Sequence, residues 1–528
     1  MRDFFRPGRS PVMATKAAIA TSHPLATAAG LDILRAGGNA VDAALAGVAV
    51  QCVVEPQMTG IGGDCFVLYA PAGGDPVGLN GSGRAPAAAS AARLREAGFT
   101  VLPHETPHAV TIPGAVSAWT RLHADYGTLP LDRLFAAAID YAENGYPVTP
   151  RVASDWAVAA AQLANGEGTG DLFLRGGIPY AAGERHSQPL LGQRLREIAR
   201  DGAAAFYTGA TAKALVQRLR ALGGVHTEED FAEGLDGANY VAPVSTGYRG
   251  YDVLEIPPNG QGLVALMILN VIGGFDLSAD VPMDERIHIH AEATKLAYHH
   301  RDAFVCDPDH APCAVETLLG AETTAALRRR VSLERAGEPA LWTEPEHRDT
   351  VYLSVVDRDG NAISFINSLF QAFGSYILDP ATGVLLHSRG SSFRLIEGHP
   401  NELAPRKRPL HTIIPGLLRR DGRTVMPFGV MGGHYQAAGH AAFLSGLLDR
   451  GLDLQEAIDA PRSFAFNGEL EVEPTIAPET VAKLEAKGHC VKPAARPIGG
   501  AQAVWIDHER GLLHAGSDPR KDGCALGF

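Results

Sequence analysis

The stretch Glu346–Phe370, "EHRDTVYLSVVDRDGNAISFINSLF", decides how this chain is read. Two runs of β-branched and aromatic residues flank a turn carrying Asp359-Gly360, the pattern of a β-hairpin. The polar segment "TEPEHRD" runs straight into Thr350 with no turn residue between. A three-residue turn, Arg358–Gly360, pairs Asp357 with Asn361 and sets Thr350 opposite Ser368. A two-residue Asp-Gly turn shifts that partner to Leu369. In the first register two hydroxyls face each other at a strand start, which suits a nucleophile and a hydrogen-bond partner. A threonine hydroxyl is a poor nucleophile without a base beside it. A threonine at a chain start carries its own base, an α-amine with a pKa of about 7.7–8.0. Thr350 gains that amine only if the Asp349–Thr350 bond is cut, and exposed polar segments are where cutting is tolerated. Threonine is also an ordinary strand-start residue, so the hairpin alone leaves both readings standing.

The chain has 528 residues, 46% of them hydrophobic and 20% charged, which predicts an ordinary globular protein with a large core. A net charge of −13 argues against nucleic acid as a partner, because phosphate binding needs clustered Lys and Arg. It says little about a small substrate, since one local arginine can outweigh the global field. No stretch approaches the roughly 20 apolar residues of a membrane span. The N-terminus has arginines but no apolar core of a secretory signal. The six cysteines, Cys52, Cys65, Cys306, Cys313, Cys490 and Cys524, form no CxxC pair, which fits reduced thiols in a cytoplasm.

Along the chain, "PLATAAGLDILRAGGNAVDAALAGVAVQCVV" reads as helix, break, helix. "GIGGDCFVLYA" reads as a Gly-rich turn entering a strand. Residues 131–222 are largely helical by spacing, and Thr227 with Asp230 resembles a capping box. "MDERIHIHAEATKLAYHHRDAF" reads as one helix, and 329–349 as an exposed linker. After Thr350 strands follow in quick succession, among them "TIIPGLL". Then "MGGHYQAAGHAAFLSGLLDRG" gives a Gly-Gly turn opening a helix. Strands in blocks and helices in blocks predict sheets covered by helix layers, an α+β protein.

Taken in order, "PQMTGIGGDCFVLY", "IPGAVSAWTRLHADYGTLPL", "HTEEDF", "AEATKLAYHHRDAF", "RDTVYLSVVDRDGNAISF", "KRPLHTIIP", "VMGGH" and "AGSDPRKDG" resemble the γ-glutamyltranspeptidase family over nearly the whole chain. The resemblance implies a four-layer αββα sandwich of the N-terminal-nucleophile hydrolase type. It implies a proenzyme that cuts itself at Asp349–Thr350 into a large subunit, 1–349, and a small subunit, 350–528. These remain together as a heterodimer within one αββα unit, with a dimer of such pairs as a further assembly. Thr350 matches the catalytic threonine, Ser368 its hydroxyl partner, and Gly432 and Gly433 the glycine pair whose N–H groups hold an oxyanion. No cofactor and no metal is implied.

Departures from the family concern the substrate. Phe370 stands where glutamyl-transferring members carry asparagine, and Ser392 where they carry the aspartate that holds the substrate amine. His411 and Thr412 replace the paired serines that bind the α-carboxylate, and Arg84 is offset by two places. A set of Arg84, Arg389, His411 and Thr412 suits a small amide with a carboxylate and no ammonium group. The motifs look most like the oxamate amidohydrolase branch, which implies hydrolysis of oxamate to oxalate and ammonia. γ-Glutamyl hydrolysis and removal of a dicarboxylate side chain from a β-lactam nucleus are the alternatives. Arg389 either binds a carboxylate or closes a structural salt bridge, and His411 either faces substrate or is a satisfied loop histidine. His288, His290, His299 and His300 with Asp302 make a rival zinc reading, which the helix disfavours by pointing His288 and His290 to different faces.

Overall fold

A computed structural model describes residues 8–338 and 350–528. The Asp349–Thr350 bond and most of the expected linker lie outside the described residues. The hairpin forms as Val351–Val356 and Ala362–Ser368, and Val351 pairs with Asn367. This is the three-residue register, and it continues to Thr350 opposite Ser368. Asp357 supports the turn, accepting from the backbone N–H groups of Asp359 and Asn361, each at 3.0 Å.

The hairpin lies at the centre of a seven-stranded sheet, flanked by Ala18–Thr21 and Asp64–Ala70. A second seven-stranded sheet contains Gly416–Arg420, Arg423–Met431 and Gly500–Asp507. Every pairing within both sheets is antiparallel. Each sheet combines strands from before residue 338 with strands from after residue 350, so neither segment builds a sheet by itself.

Side-chain alternation explains the layering. Leu353, Val355, Ile363 and Phe365 pack outward on helix Ala40–Val54, which is buried along its whole length. Tyr352, Val356, Ala362 and Ile366 point inward to the second sheet. The Tyr352 ring crosses so close to Gly429 that a Cβ there would lie 2.3 Å from Cε2, so glycine is required. Helices Gly262–Ile272 and Gln436–Leu448 cover the far face of the second sheet. The result is helix, sheet, sheet, helix.

Most expected elements are present, including one helix over Met283–Phe304 and the Thr227–Asp230 capping box. Two expectations change. "TIIPGLL" enters the ladder only at Gly416, because the backbone before it bonds to side chains. Gln261 Nε2 donates to Thr412 O (2.8 Å), and Ile414 N donates to Gln436 Oε1 (3.0 Å). The linker expected from Arg329 also starts later. Helix Ala321–Arg330 continues through it, and 332–337 is tied down by His288 Nε2 with Ser332 O (2.6 Å) and Lys295 Nζ with Gly337 O (2.7 Å). Among the described residues no helix is long and apolar enough to cross a membrane, and all six cysteines are unbridged.

Candidate active site

The inward face of the hairpin carries Thr350 and Ser368. Thr350 Oγ1 lies 3.2 Å from Ser368 Oγ, with both residues fully buried. Ser368 Oγ also accepts from Phe370 N at 2.9 Å, which fixes its position. On the next strand Asp64 pairs with Ser368 and points to the same face. Thr350, Ser368 and Asp64 thus form one row across three strands. Strands lie about 4.8 Å apart, so the row spans about 10 Å.

Facing this row, strand Arg423–Met431 ends in Gly432 and Gly433, with φ of 122° and 57°. Both are left-handed, a region that costs any side chain strain. Successive N–H groups in such a turn converge on one point, as an anion site needs. The helix that follows begins at Gln436, whose Nε2 lies 3.4 Å from Thr350 Oγ1. Gln261 braces the turn by donating to Gly433 O at 3.1 Å. Arg301 Nη1 in turn donates to Gln261 Oε1 at 2.7 Å.

The far end of the row is a charged cluster. Asp64 Oδ1 accepts from Gly83 N (3.0 Å) and Gly114 N (3.1 Å). Its Oδ2 lies 3.1 Å from His411 Nε2, 3.4 Å from His387 Nδ1 and 3.9 Å from Arg389 Nε. Burial alone would raise the Asp64 pKa, but the His387 and His411 rings outweigh it and hold the group well below the carboxylate range. For His411, burial and then the Arg389 charge push the pKa down to about 3. It is a neutral ring donating Nε2–H to Asp64, with Ile413 N donating to Nδ1 at 3.4 Å. Arg389, fully buried, donates from Nη1 to Thr412 Oγ1 at 3.0 Å and lies over the Phe370 ring.

The structure therefore brings together Thr350, Ser368, Gly432, Gly433, Arg389, His411 and Thr412. Arg84 is directed elsewhere: its Nη2 lies 2.8 Å from Asp309 and its Nη1 3.4 Å from Asp307. Ser392 Oγ faces two backbone carbonyls, Arg389 O at 2.9 Å and Leu410 O at 2.7 Å, and ties two loops together.

The rival metal set is dispersed along one helix. His300 Nδ1 bonds Leu296 O at 3.0 Å, and Asp302 pairs with Arg394 at 2.5 Å. His288 instead meets His489 at 2.7 Å, with Glu292 alongside. A lysine already occupies that carboxylate, Lys295 Nζ lying 2.5 Å from Glu292 Oε1. His288 Nε2 also bonds Ser332 O, and Glu292 Oε2 accepts from Gly337 N at 2.9 Å, so each of the two is already engaged.

Four residues of the site escaped the sequence reading: Asp64, His387, Gln261 and Gln436. Asp64 had a signal, an acid at an inward position of a strand that is otherwise apolar. His387, Gln261 and Gln436 sit at loop or helix ends where no periodicity marks them.

A family model for gamma-glutamyltranspeptidase matches residues 26–528. The chain is 38% identical over 532 residues to the glutathione hydrolase-like YwrD proenzyme of Bacillus subtilis, covering 98% of this chain and 99% of that one. It is 36% identical over 522 residues to the oxamate amidohydrolase proenzyme of Klebsiella pneumoniae, covering 96% and 97%. Among solved structures, a cephalosporin acylase from Bacillus halodurans matches with a TM-score of 0.93 at 39% identity, covering 100% and 98%.

Proposed function

Because this chain belongs to the gamma-glutamyltranspeptidase family of N-terminal-nucleophile hydrolases, we propose that it is a self-processing amidohydrolase for a short amide bearing a carboxylate, with oxamate as the leading substrate. Cleavage at Asp349–Thr350 frees the Thr350 amine. That amine takes the proton from Thr350 Oγ1 as the oxygen attacks the amide carbonyl. Ser368 holds the hydroxyl in place, and the N–H groups of Gly432 and Gly433 receive the oxyanion. The protonated amine returns its proton to the leaving nitrogen, ammonia departs, and water hydrolyses the acyl-enzyme.

The observation that carries the substrate reading is Arg389, a buried cation on the Phe370 ring at the end of a row that starts at Thr350. A guanidinium on the same pocket face matches a substrate carboxylate on the acyl side of the scissile amide. Asp64 makes the pocket less purely cationic than the sequence suggested. The Asp64 oxygens already accept from two backbone N–H groups and from His411 Nε2, with His387 and Arg389 alongside. An incoming ammonium would have to share a carboxylate that these groups already surround, which favours a substrate without one. The 36% identity to an oxamate amidohydrolase supports the same reading.

A second reading is acylase activity on a dicarboxylate side chain, favoured by the likeness to a cephalosporin acylase. Processed protein assayed side by side on oxamate, a γ-glutamyl anilide and a glutaryl β-lactam separates the possibilities. Ammonia release from oxamate with kcat/KM above the other two is the expected result. A preference for either of the others overturns oxamate as substrate but leaves the threonine mechanism standing.

A further inference from the structure

Behind the helix that opens with Gln436 lies a second cavity, of about 100 Å³, whose lining includes none of the residues of the Thr350 site. One wall is the start of helix Met283–Phe304, and another is the outer side of Gln436–Leu448. Small residues at Ala442 and Gly446 open the space, and Ile287, Phe443 and Leu470 give it an apolar lining.

Three arginines line this space; Arg462 is paired with Asp518 at 2.5 Å, which leaves Arg286 and Arg450 as the guanidiniums to account for. Arg286 Nη1 caps backbone carbonyls, Ser278 O at 3.1 Å, Ala279 O at 3.4 Å and Val281 O, but among the described residues it has no carboxylate partner. The Arg450 side chain makes no hydrogen bond or ion pair among the described residues. The nearby acids have other hydrogen-bond partners, although the Glu456 charge still favours the Arg450 cation. Asp449 accepts from Tyr248 Oη at 2.5 Å and Arg249 Nε at 2.6 Å, and Glu456 Oε2 accepts from Asp453 N at 3.1 Å. Burial, and after it the charge of Arg450, weakens the hold of Arg286 on its proton. His290 completes the polar rim, with burial pushing its pKa down to about 4, so it stays neutral.

Like charges are brought to one cavity at a cost unless an anion joins them. We propose that this cavity is a binding site for a small organic carboxylate with an apolar body. The carboxylate lies between Arg286 and Arg450, His290 hydrogen-bonds it, and the body rests on Phe443, Ile287 and Leu470. Charge-assisted pairing supplies the specificity and apolar contact the affinity. The site is independent of the proposed substrate, because it uses none of the groups that bind or cleave it.

The test is calorimetric titration of the full-length protein with benzoate and with its neutral isostere benzamide. Benzoate is expected to bind at one site per chain, with benzamide weaker by about tenfold or more, the loss of one charge-assisted contact. Arg450→Met is expected to weaken benzoate by a similar factor, and Ala442→Phe to fill the cavity and abolish binding, while both variants keep turnover. Absence of benzoate binding at millimolar concentration, equal binding of benzamide, or unchanged affinity in both variants overturns the proposal.

Discussion

The guanidinium carbon of Arg389 lies 4.1 Å from the centroid of the Phe370 ring, and the Phe370 backbone holds φ at +79°. Phenylalanine is rare in that left-handed region, where asparagine is common. The ring is retained against that strain because it seats a buried cation, a contact worth about 2 kcal/mol when desolvated. Phe370→Asn should relieve the backbone but unseat Arg389. Its kcat/KM on oxamate is expected to fall by about tenfold or more, and its γ-glutamyl to oxamate activity ratio to rise. Steady-state kinetics on both substrates decide this; an unchanged ratio would remove Phe370 from the specificity argument.

Thr350→Ala should remain a single full-length chain on denaturing gels and release no ammonia. Ser368→Ala should keep the fold, cleave slowly and lose about 10- to 100-fold in kcat with a smaller change in KM, because it orients the nucleophile and does not bind substrate. Efficient cleavage at residue 349 in Thr350→Ala would sink self-processing.

Asp64→Asn removes the buried negative charge that His387, Arg389 and His411 surround, and a loss of about 3 kcal/mol in stability is expected. The sign of the pH effect follows from a depressed folded pKa. The carboxylate stabilises above its unfolded value, about pH 4, and that contribution fades as pH falls into the folded range. The deficit of the variant should therefore be constant above about pH 4 and shrink in stronger acid. Urea midpoints across that range measure it.

Glu55 predicts the opposite slope. Burial raises its pKa to about 7, against hydrogen bonds from Ser22 (2.6 Å) and Gln51 (3.2 Å) that favour the charged form. The folded state binds a proton between about pH 4.5 and 7 that the unfolded state has released, so stability falls as pH rises through that window. The drop should be on the order of 3 kcal/mol. Glu55→Gln should abolish this slope and be the more stable protein above pH 7.

Ser392→Asp restores the acid of glutamyl-transferring relatives, yet it should fail to restore their specificity. The side chain would meet the carbonyl oxygens of Arg389 and Leu410, to which Ser392 now donates. A carboxylate against two carbonyls has no donor, so a stability loss of about 1–3 kcal/mol is expected. Thermal unfolding reads it; a gain in γ-glutamyl turnover without destabilisation would refute this account.

The sequence alone determined what local periodicity and chain geometry control. A period of two across Val351–Ser368, with its Asp-Gly turn, marked a hairpin with two candidate registers, and the structure takes the one that places Thr350 opposite Ser368. A Gly-Gly pair before an apolar helix marked the turn at Gly432 and Gly433. Only the tertiary structure decided the pocket. Asp64, His387, Arg389 and His411 are drawn from three separate stretches of the chain and meet because sheet pairing sets Asp64 beside Ser368 while loops bring the other three over it. Loop-borne polar residues carry no periodic signature, and their partners are chosen by burial, where each oxygen and N–H must find a bond. The same rule turned Arg84 toward Asp307 and Asp309 and closed Ser392 onto backbone carbonyls, outcomes that no spacing along the chain could specify.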